Sequence, residues 1–437
     1  MTAMDHVRYL SDTIGPRGST TSDEEEAARY ASRMLSQMDL KPVTEYFISA
    51  RSGWYPYALF SALLLVSEIL SWLGGQWGAV IAVVLTVFSL ISVLLELAFR
   101  PNPFRWLLPK GRSQNVSARI SSRNSPREKV VLLGHLDTHR TPLAFSSDRF
   151  LKLFRILVPA GLVFSVILLF IFTVVIFSDA WFWRFLSLPF AIVVVGILVL
   201  TLQADRTAYT AGANDNATGA GIVLSLAERL KRKPLVNTSV WVVLSGCEEV
   251  GCYGADAFAQ AHGDELNDAA WITLDSVGSS GGKPCYLTKE TFLLTARSDS
   301  KLVKLAEGVA NKHPELNACA YHKFSGAYTE GSIGAKYGFR VLTLIAFTPD
   351  GKLTEWHRPT DVLENVDLAV VECSEKFLWK LLQEIDQHSG MFSISLKSNF
   401  RAASLFSSSK ARSIDFPESR TSITSSDAKR PKVTTTV

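Results

Sequence analysis

Apolar positions are not spread evenly along this chain. They gather into four long runs, about Tyr57–Leu73, Gly78–Ala98, Ile156–Phe177 and Phe185–Leu202. Each approaches the ~20 apolar residues that a helix needs to cross a bilayer, with ~17–25 tolerated. Core helices rarely run this long without a polar face, so four transmembrane helices are predicted. Gly74, Gly75, Gln76 and Trp77 join the first two, and Ser178 to Arg184 join the second two, with Trp181 and Trp183 suited to an interface belt. Two tight hairpins leave every polar segment on one side of the membrane. Arg51, Arg100, Arg105, Lys110 and Arg112 flank the first hairpin on that side, and Arg149, Lys152, Arg155 and Arg206 flank the second, whereas the opposite turns carry only Arg184. Excess Lys and Arg marks the cytoplasmic side, so an integral, multi-pass protein with its polar part in the cytoplasm is expected. Glu68 and Glu96 fall inside the runs. An intramembrane carboxylate invites a functional reading, but both lie near span ends, which favours a structural one.

The polar segments show shorter periods. Asp23 to Gln37 reads as an amphipathic helix capped by Ser22 or Asp23. Val43–Ile48 and Asn115–Ile120 read as short strands around the first hairpin. Lys129–Leu133, Thr238–Leu244, Ala270–Leu274 and Val341–Phe347 read as buried strands. Ala220–Lys231, Ser300–Lys312 and Asp367–Asp386 have helical periodicity. Strands alternating with helices predict an α/β fold with a mixed, mostly parallel sheet flanked by helices. From Gln387 onward the chain is rich in Ser, Thr, Lys and Arg and reads as a disordered tail.

Composition narrows the classes. Of 437 residues, 47% are hydrophobic and 20% charged, and the mean hydropathy is +0.16, which excludes a disordered chain. Lys and Arg number 45 against 41 Asp and Glu, a net charge of +4. That is too small to suggest nucleic acid, and no basic helix with interleaved aromatics is present. The five cysteines, Cys247, Cys252, Cys285, Cys319 and Cys373, form no CxxC pair and fit a reducing compartment. The first ten residues have no apolar core, so no cleavable signal peptide is expected.

The candidate chemistry lies where strands end. His135-Leu136-Asp137 follows the Lys129 strand, a His with a carboxylate placed to orient it. Gly212 to Gly219 opens the helix at Ala220 and contains Asp215. Cys247-Glu248-Glu249-Val250-Gly251 follows the Thr238 strand, Asp275 follows the Ala270 strand, and His357 precedes the last helix. Singly, each has an ordinary explanation as a cap, a turn or a solvated pair. Together they place two His, two Asp and a Glu at successive strand ends, where α/β sheets bind ligands. These are N and O donors of the kind zinc accepts, with a further Glu beside them.

The order and text of these segments resemble the co-catalytic zinc aminopeptidases, relatives of bacterial leucyl aminopeptidase, glutamate carboxypeptidase, glutaminyl cyclase and transferrin receptor. The likeness spans roughly Asp5–Asp386 outside both hairpins and includes Gly15-Pro16-Arg17 and the motif of His357 with Pro359, Thr360 and Asp361. It implies a zinc-exopeptidase-like fold and two zinc ions, with cobalt or manganese as possible substitutes, acting on a peptide substrate. Asp215 would bridge the ions. His135 and Asp275 would complete one, and Glu249 and His357 the other. Glu248 would be the general base and Asp137 would orient His135. Tyr328, Thr329 and Glu330 would line the specificity pocket. Three departures stand out: Thr138 and His139 replace smaller or hydroxyl residues, Cys247 stands where Gly is common, and Ser325 to Gly331 matches loosely. The metal set shows no departure, which argues against a silent, receptor-like relative. Adjacent Glu248 and Glu249 with Asp215 favour two metals over a one-zinc glutaminyl cyclase or other amide-processing enzyme.

The implied organisation is a catalytic domain in three pieces, residues 1–53, 101–152 and 205–386. Transmembrane hairpins at 54–100 and 153–204 interrupt it, and the tail is 387–437. Because the second hairpin leaves after His135 and returns before Asp215, the metal cleft is expected to face the membrane surface.

Overall fold

The computed structural model describes residues 1–178, 180–266 and 268–389. Most of the expected tail, from residue 390, lies outside them. Eleven strands occur among the described residues: β1 (Val43–Ala50), β2 (Lys110–Ile120), β3 (Glu128–His135), β4 (Thr238–Ser245), β5 (Ala270–Leu274), β6 (Lys283–Leu287), β7 (Lys289–Thr291), β8 (Thr295–Arg297), β9 (Cys319–Tyr321), β10 (Phe324–Ser325) and β11 (Arg340–Phe347). Eight form one mixed sheet in the order β1-β2-β4-β3-β5-β11-β6-β9, and β10-β7-β8 form a small second sheet. The four central strands, β4, β3, β5 and β11, are parallel, while β2, β1 and β6 pair antiparallel at the flanks.

Alternation along the central strands builds two cores. Val130, Leu132 and Ile272 enter one, and Val131, Leu133 and Trp271 enter the other. A strand buried on both faces reads as a continuous apolar run, which is why these strands were legible. The helices α1 (Ala3–Arg8) and α2 (Ser22–Gln37) cover the first face together with those at Gly219–Arg232, Ser300–Lys312 and Leu368–Gln387. The cap of α2 is Thr21, whose Oγ1 accepts the Glu24 amide at 3.3 Å, not Ser22 or Asp23. Its hydroxyl lies one residue before the first helical turn, the position that can reach a free amide.

Among the described residues, four helices are long and apolar enough to cross a membrane: α3 (Tyr55–Leu73), α4 (Gly75–Leu97), α6 (Asp148–Phe177) and α7 (Trp181–Asp205), with the short α5 (Pro103–Leu107) between the pairs. Each begins before its apolar run, because helical hydrogen bonding does not wait for hydrophobicity. Their buried sides carry small residues such as Ala79, Ala82, Ser89 and Ser92, which let apolar helices approach closely. At Gly78 a Cβ would lie 2.1 Å from the Leu70 carbonyl oxygen, so only glycine fits that turn. Outward-facing Val84, Val163, Phe170 and Ile192 are exposed. Glu68 accepts hydrogen bonds from Trp72 and Ser187, and Glu96 pairs with Arg105 at 2.8 Å, so both carboxylates are structurally engaged.

The remaining helices are α8 (Gly219–Arg232), α9 (Tyr253–Leu266), α10 (Ser300–Lys312), α11 (Glu330–Lys336) and α12 (Leu368–Gln387). Both α9 and α11 pack on the second face through Phe258 and Ile333. The antiparallel register of Val43↔Ser117 and Val116↔Leu244 makes β1 end, and β2 begin, at the edge where β4 ends. The first hairpin therefore leaves the sheet from the same edge as the second, which follows the end of β3.

Candidate metal centre

The residues singled out from the sequence meet at that edge. His135 is the last residue of β3, Glu248 and Glu249 follow β4, and Asp275 follows β5. Asp215 sits in the turn between α7 and α8, after Gly212 at φ +60. His357 lies in the turn before α12 at φ +55. All are buried or nearly so. The Asp215 carboxylate stands between two imidazoles, with Oδ1 3.5 Å from His135 Nε2 and Oδ2 3.3 Å from His357 Nε2. Glu249 Oε2 is 3.4 Å from the same His357 nitrogen.

These separations are too long for good hydrogen bonds. They match the ~3.3 Å between donor atoms placed tetrahedrally at ~2.0–2.1 Å from one zinc ion. His135 Nε2 and Glu249 Oε1 are buried without a hydrogen-bond partner, and donors aimed at a common point without partners are what a cation site presents. Potential donor atoms of His135, Asp215 and Asp275 lie within 4.8 Å of one another, as do those of His139, Glu249 and His357, and those of His135, Glu248 and Glu249. The residues present therefore fit zinc.

Electrostatics agree. Burial, then neighbouring acids, pushes Glu249 well above the usual carboxylate range. Burial does the same to Glu248, partly opposed by His135. Asp275 is raised to about 6 by burial and by Asp215. Asp215 is itself held low: burial opposes ionisation, but its contacts with His135 and His357 outweigh it. Such crowding of buried carboxyl groups is costly unless a cation is shared among them.

The scaffold around these donors is tightly hydrogen-bonded. His135 Nδ1 donates to the main-chain carbonyl of Asp137 at 3.1 Å, which leaves Nε2 as a bare acceptor. The Asp137 carboxylate is 3.5 Å from that ring and accepts instead from Ser19 Oγ at 2.6 Å and from the amides of Glu248 and Glu249 at 3.0 and 3.1 Å. Glu24 accepts the preceding Cys247 amide at 2.8 Å. Cys247 sits at φ +54, a conformation that favours glycine. Asp361 accepts the amides of Asn214 and Asp215 at 2.7 and 3.2 Å.

Of the expected specificity residues, Thr329 and Glu330 turn inward, bonding Glu290 and Ser245. Tyr328 packs on Phe99 and Phe292 with ring centres 4.9 and 5.2 Å away. His139 was noted in the sequence only as a departure, yet it stacks on His357 at 3.6 Å. The available signal was spacing, because residues two apart in an extended segment share a side, and His135, Asp137 and His139 are so spaced.

The class that the fold defines is the mixed α/β architecture seen in solved zinc aminopeptidases. More particularly, residues 197–382 match Peptidase family M28. The chain is similar to the alkaline phosphatase isozyme conversion protein of Escherichia coli (strain K12), 34% identical over 145 residues that cover 31% of this chain and 40% of that protein. Its fold is similar to BSAP, a zinc aminopeptidase from Bacillus subtilis, at 13% identity and TM-score 0.52, covering 87% of this chain and 94% of that one. It is also similar to the glutaminyl cyclase of Bacteroides thetaiotaomicron, at 12% identity and TM-score 0.52, covering 87% and 96%.

Proposed function

We propose that this protein is a membrane-anchored metallo-aminopeptidase that removes N-terminal residues from peptides at a two-zinc centre. The observation that carries the reading is one carboxylate, Asp215, standing between His135 and His357 at 3.5 and 3.3 Å. In this reading Asp215 would be shared by both ions, His135 and Asp275 would help hold one, and Glu249 and His357 would help hold the other. Zinc bound there supplies Lewis-acid polarisation of the scissile carbonyl and makes attack by water feasible at neutral pH.

Glu248 takes a proton from the attacking water and returns it to the leaving amine. Burial raises its proton affinity, and the thiol of Cys252 donates to Oε1 at 3.2 Å, which leaves the other carboxylate oxygen for the proton. Asp137, by accepting the Glu248 and Glu249 amides, holds base and ligand in fixed relation to His135.

The four apolar helices anchor the enzyme, and the Lys and Arg at their domain-side ends favour a cytoplasmic catalytic domain. Both hairpins leave the sheet at the edge that carries the donors. Trp54, one residue before α3, has its ring 5.8 Å from that of His139, and Phe145, three residues before α6, lies 4.6 Å from that of His357. These contacts support a cleft that opens at the membrane surface.

The test uses the detergent-purified protein. Metal content and hydrolysis of a panel of aminoacyl reporters are measured for wild type and Glu248→Gln. Two ions in both, with kcat lowered about 10²–10⁴-fold in the variant, is the expected result. Unchanged turnover would remove Glu248 as base. Two ions without turnover on any aminoacyl compound would reject the aminopeptidase reading in favour of another amide substrate or a binding role.

A further inference from the structure

Two thiols that the proposed mechanism leaves unused face each other at the β9 end of the main sheet. Cys285 on β6 and Cys319 on β9 are direct partners in a parallel register, and their sulfurs are 3.3 Å apart. A disulfide asks for Cα atoms ~4.4–6.8 Å apart and sulfurs ~2.05 Å apart. Neighbouring strands lie ~4.7–4.9 Å apart, so the backbone already meets the first condition. Closing the bond brings the sulfurs together by about 1.3 Å. The strand that has to give is short: β9 has three residues and is the last in the sheet, paired on one side only.

The two sulfurs are also unequal. Cys285 is buried and Cys319 half-buried, so a small oxidant in solution meets Cys319 first. The Cys285 S–H, donated to Cys319, pulls the Cys319 thiol down to about 6 against the effect of burial, with help from Lys283 and then His322. The same contact, together with burial, pushes Cys285 up. A thiolate beside cations is the reactive form of cysteine. Cys247 and Cys252 differ on both counts. Burial, with Glu24 beside the first and Glu248 beside the second, raises both thiols and keeps them protonated.

We propose that Cys285 and Cys319 are a reversible dithiol–disulfide couple oxidised by a small peroxide. The Cys319 thiolate attacks one peroxide oxygen. The O–O bond breaks, Cys319 becomes a sulfenic acid, and the departing hydroxide takes the proton released when Cys319 ionised. The Cys285 sulfur then displaces the sulfenic hydroxyl, which leaves with the Cys285 proton as water. Two thiols and one hydrogen peroxide thus give one disulfide and two waters, with two electrons passing from sulfur to oxygen. An external dithiol reverses the step by exchange. In a reducing compartment the pair rests open and closes only when oxidant appears.

The test uses full-length protein in detergent, fully reduced and then exposed to a few equivalents of hydrogen peroxide. Remaining thiols are alkylated and the peptides mapped by mass. The expected result is a thiol count reduced by two from five, one peptide pair joined through Cys285 and Cys319 and lighter by two hydrogens, and full recovery with dithiothreitol. Cys285→Ser should stop at a Cys319 sulfenic acid that dimedone traps, whereas Cys319→Ser should leave Cys285 open to alkylation after unfolding. Cys373→Ser should leave the link intact. The wild-type map decides even where a variant folds poorly. Full alkylation of both peptides after peroxide would overturn the proposal. So would a link that forms equally well in protein unfolded before treatment, since the pairing would then owe nothing to the fold.

Discussion

The carboxylate of Asp137 accepts the backbone amide of Glu248 at 3.0 Å. Its other oxygen accepts the Glu249 amide at 3.1 Å and the Ser19 hydroxyl at 2.6 Å. One buried acid at the end of β3 thereby sets the position of two acids at the end of β4. Asp137→Asn offers one acceptor oxygen and turns a donor toward a backbone N–H. Zinc retention during dialysis should fall about 10–100-fold, the range seen when groups supporting metal ligands are changed. Native retention would show that the amides are held without it.

Arg17 is a second such keystone. Its fully buried guanidinium donates to the carbonyls of Leu10, Gly15, Leu136, Ala211 and Gly212 at 2.6–3.0 Å. It therefore joins the N-terminal segment to the loop that leads into Asp215. Arg17→Met leaves several buried carbonyls without donors, each costing about 1–3 kcal/mol. Denaturant unfolding should show a loss of at least about 3 kcal/mol. Arg17→Lys should recover little of it, since a lysine lacks the planar fork.

Arg105 ties the first hairpin to the soluble domain. It pairs with Glu96 near the end of α4 at 2.8 Å, and its guanidinium carbon lies 4.7 Å from the centre of the Tyr253 ring at the start of α9. Arg105→Met strands a buried carboxylate, which typically costs 3–5 kcal/mol. A lower unfolding temperature and faster proteolysis between residues 98 and 110 are expected. Unchanged values would mean that water or Asn102, which also donates to Glu96, satisfies the carboxylate.

Acid should destabilise the N-terminal segment through His6. Burial, with a smaller effect from the amino terminus, lowers its pKa to about 4 from 6.5, and Nδ1 is 2.7 Å from the Tyr30 hydroxyl. Above pH 6.5 the ring is neutral in both folded and unfolded chains and contributes nothing. Between pH 6.5 and about 4 the unfolded chain binds the proton and the folded one does not, so stability falls by up to roughly 3 kcal/mol. Folding stability of wild type and His6→Gln, measured from pH 7 to 4.5, should diverge toward acid by having the wild type fall more steeply. Parallel curves would rule His6 out.

Much of this protein is legible in its sequence because its signals are strong and local. Continuous apolar runs mark the four long helices and the central strands, since an element buried on all sides needs no polar alternation. His135, Asp215, Glu248, Glu249, Asp275 and His357 stand out only jointly, since each alone reads as a cap, a turn or a solvated residue. What only the tertiary structure decided is which groups face one another across sequence. The short edge strands β6 to β10 carry too few residues for a period to register. The Asp137 carboxylate could not be assigned to the Glu248 and Glu249 amides from a motif that set it beside His135. Nor could Arg17 be matched to five carbonyls, or His139 to the face of His357, 218 positions away by numbering. Those partnerships depend on chain crossings at one sheet edge, and the free energy of a buried hydrogen bond or stacked ring exists only once that crossing is made.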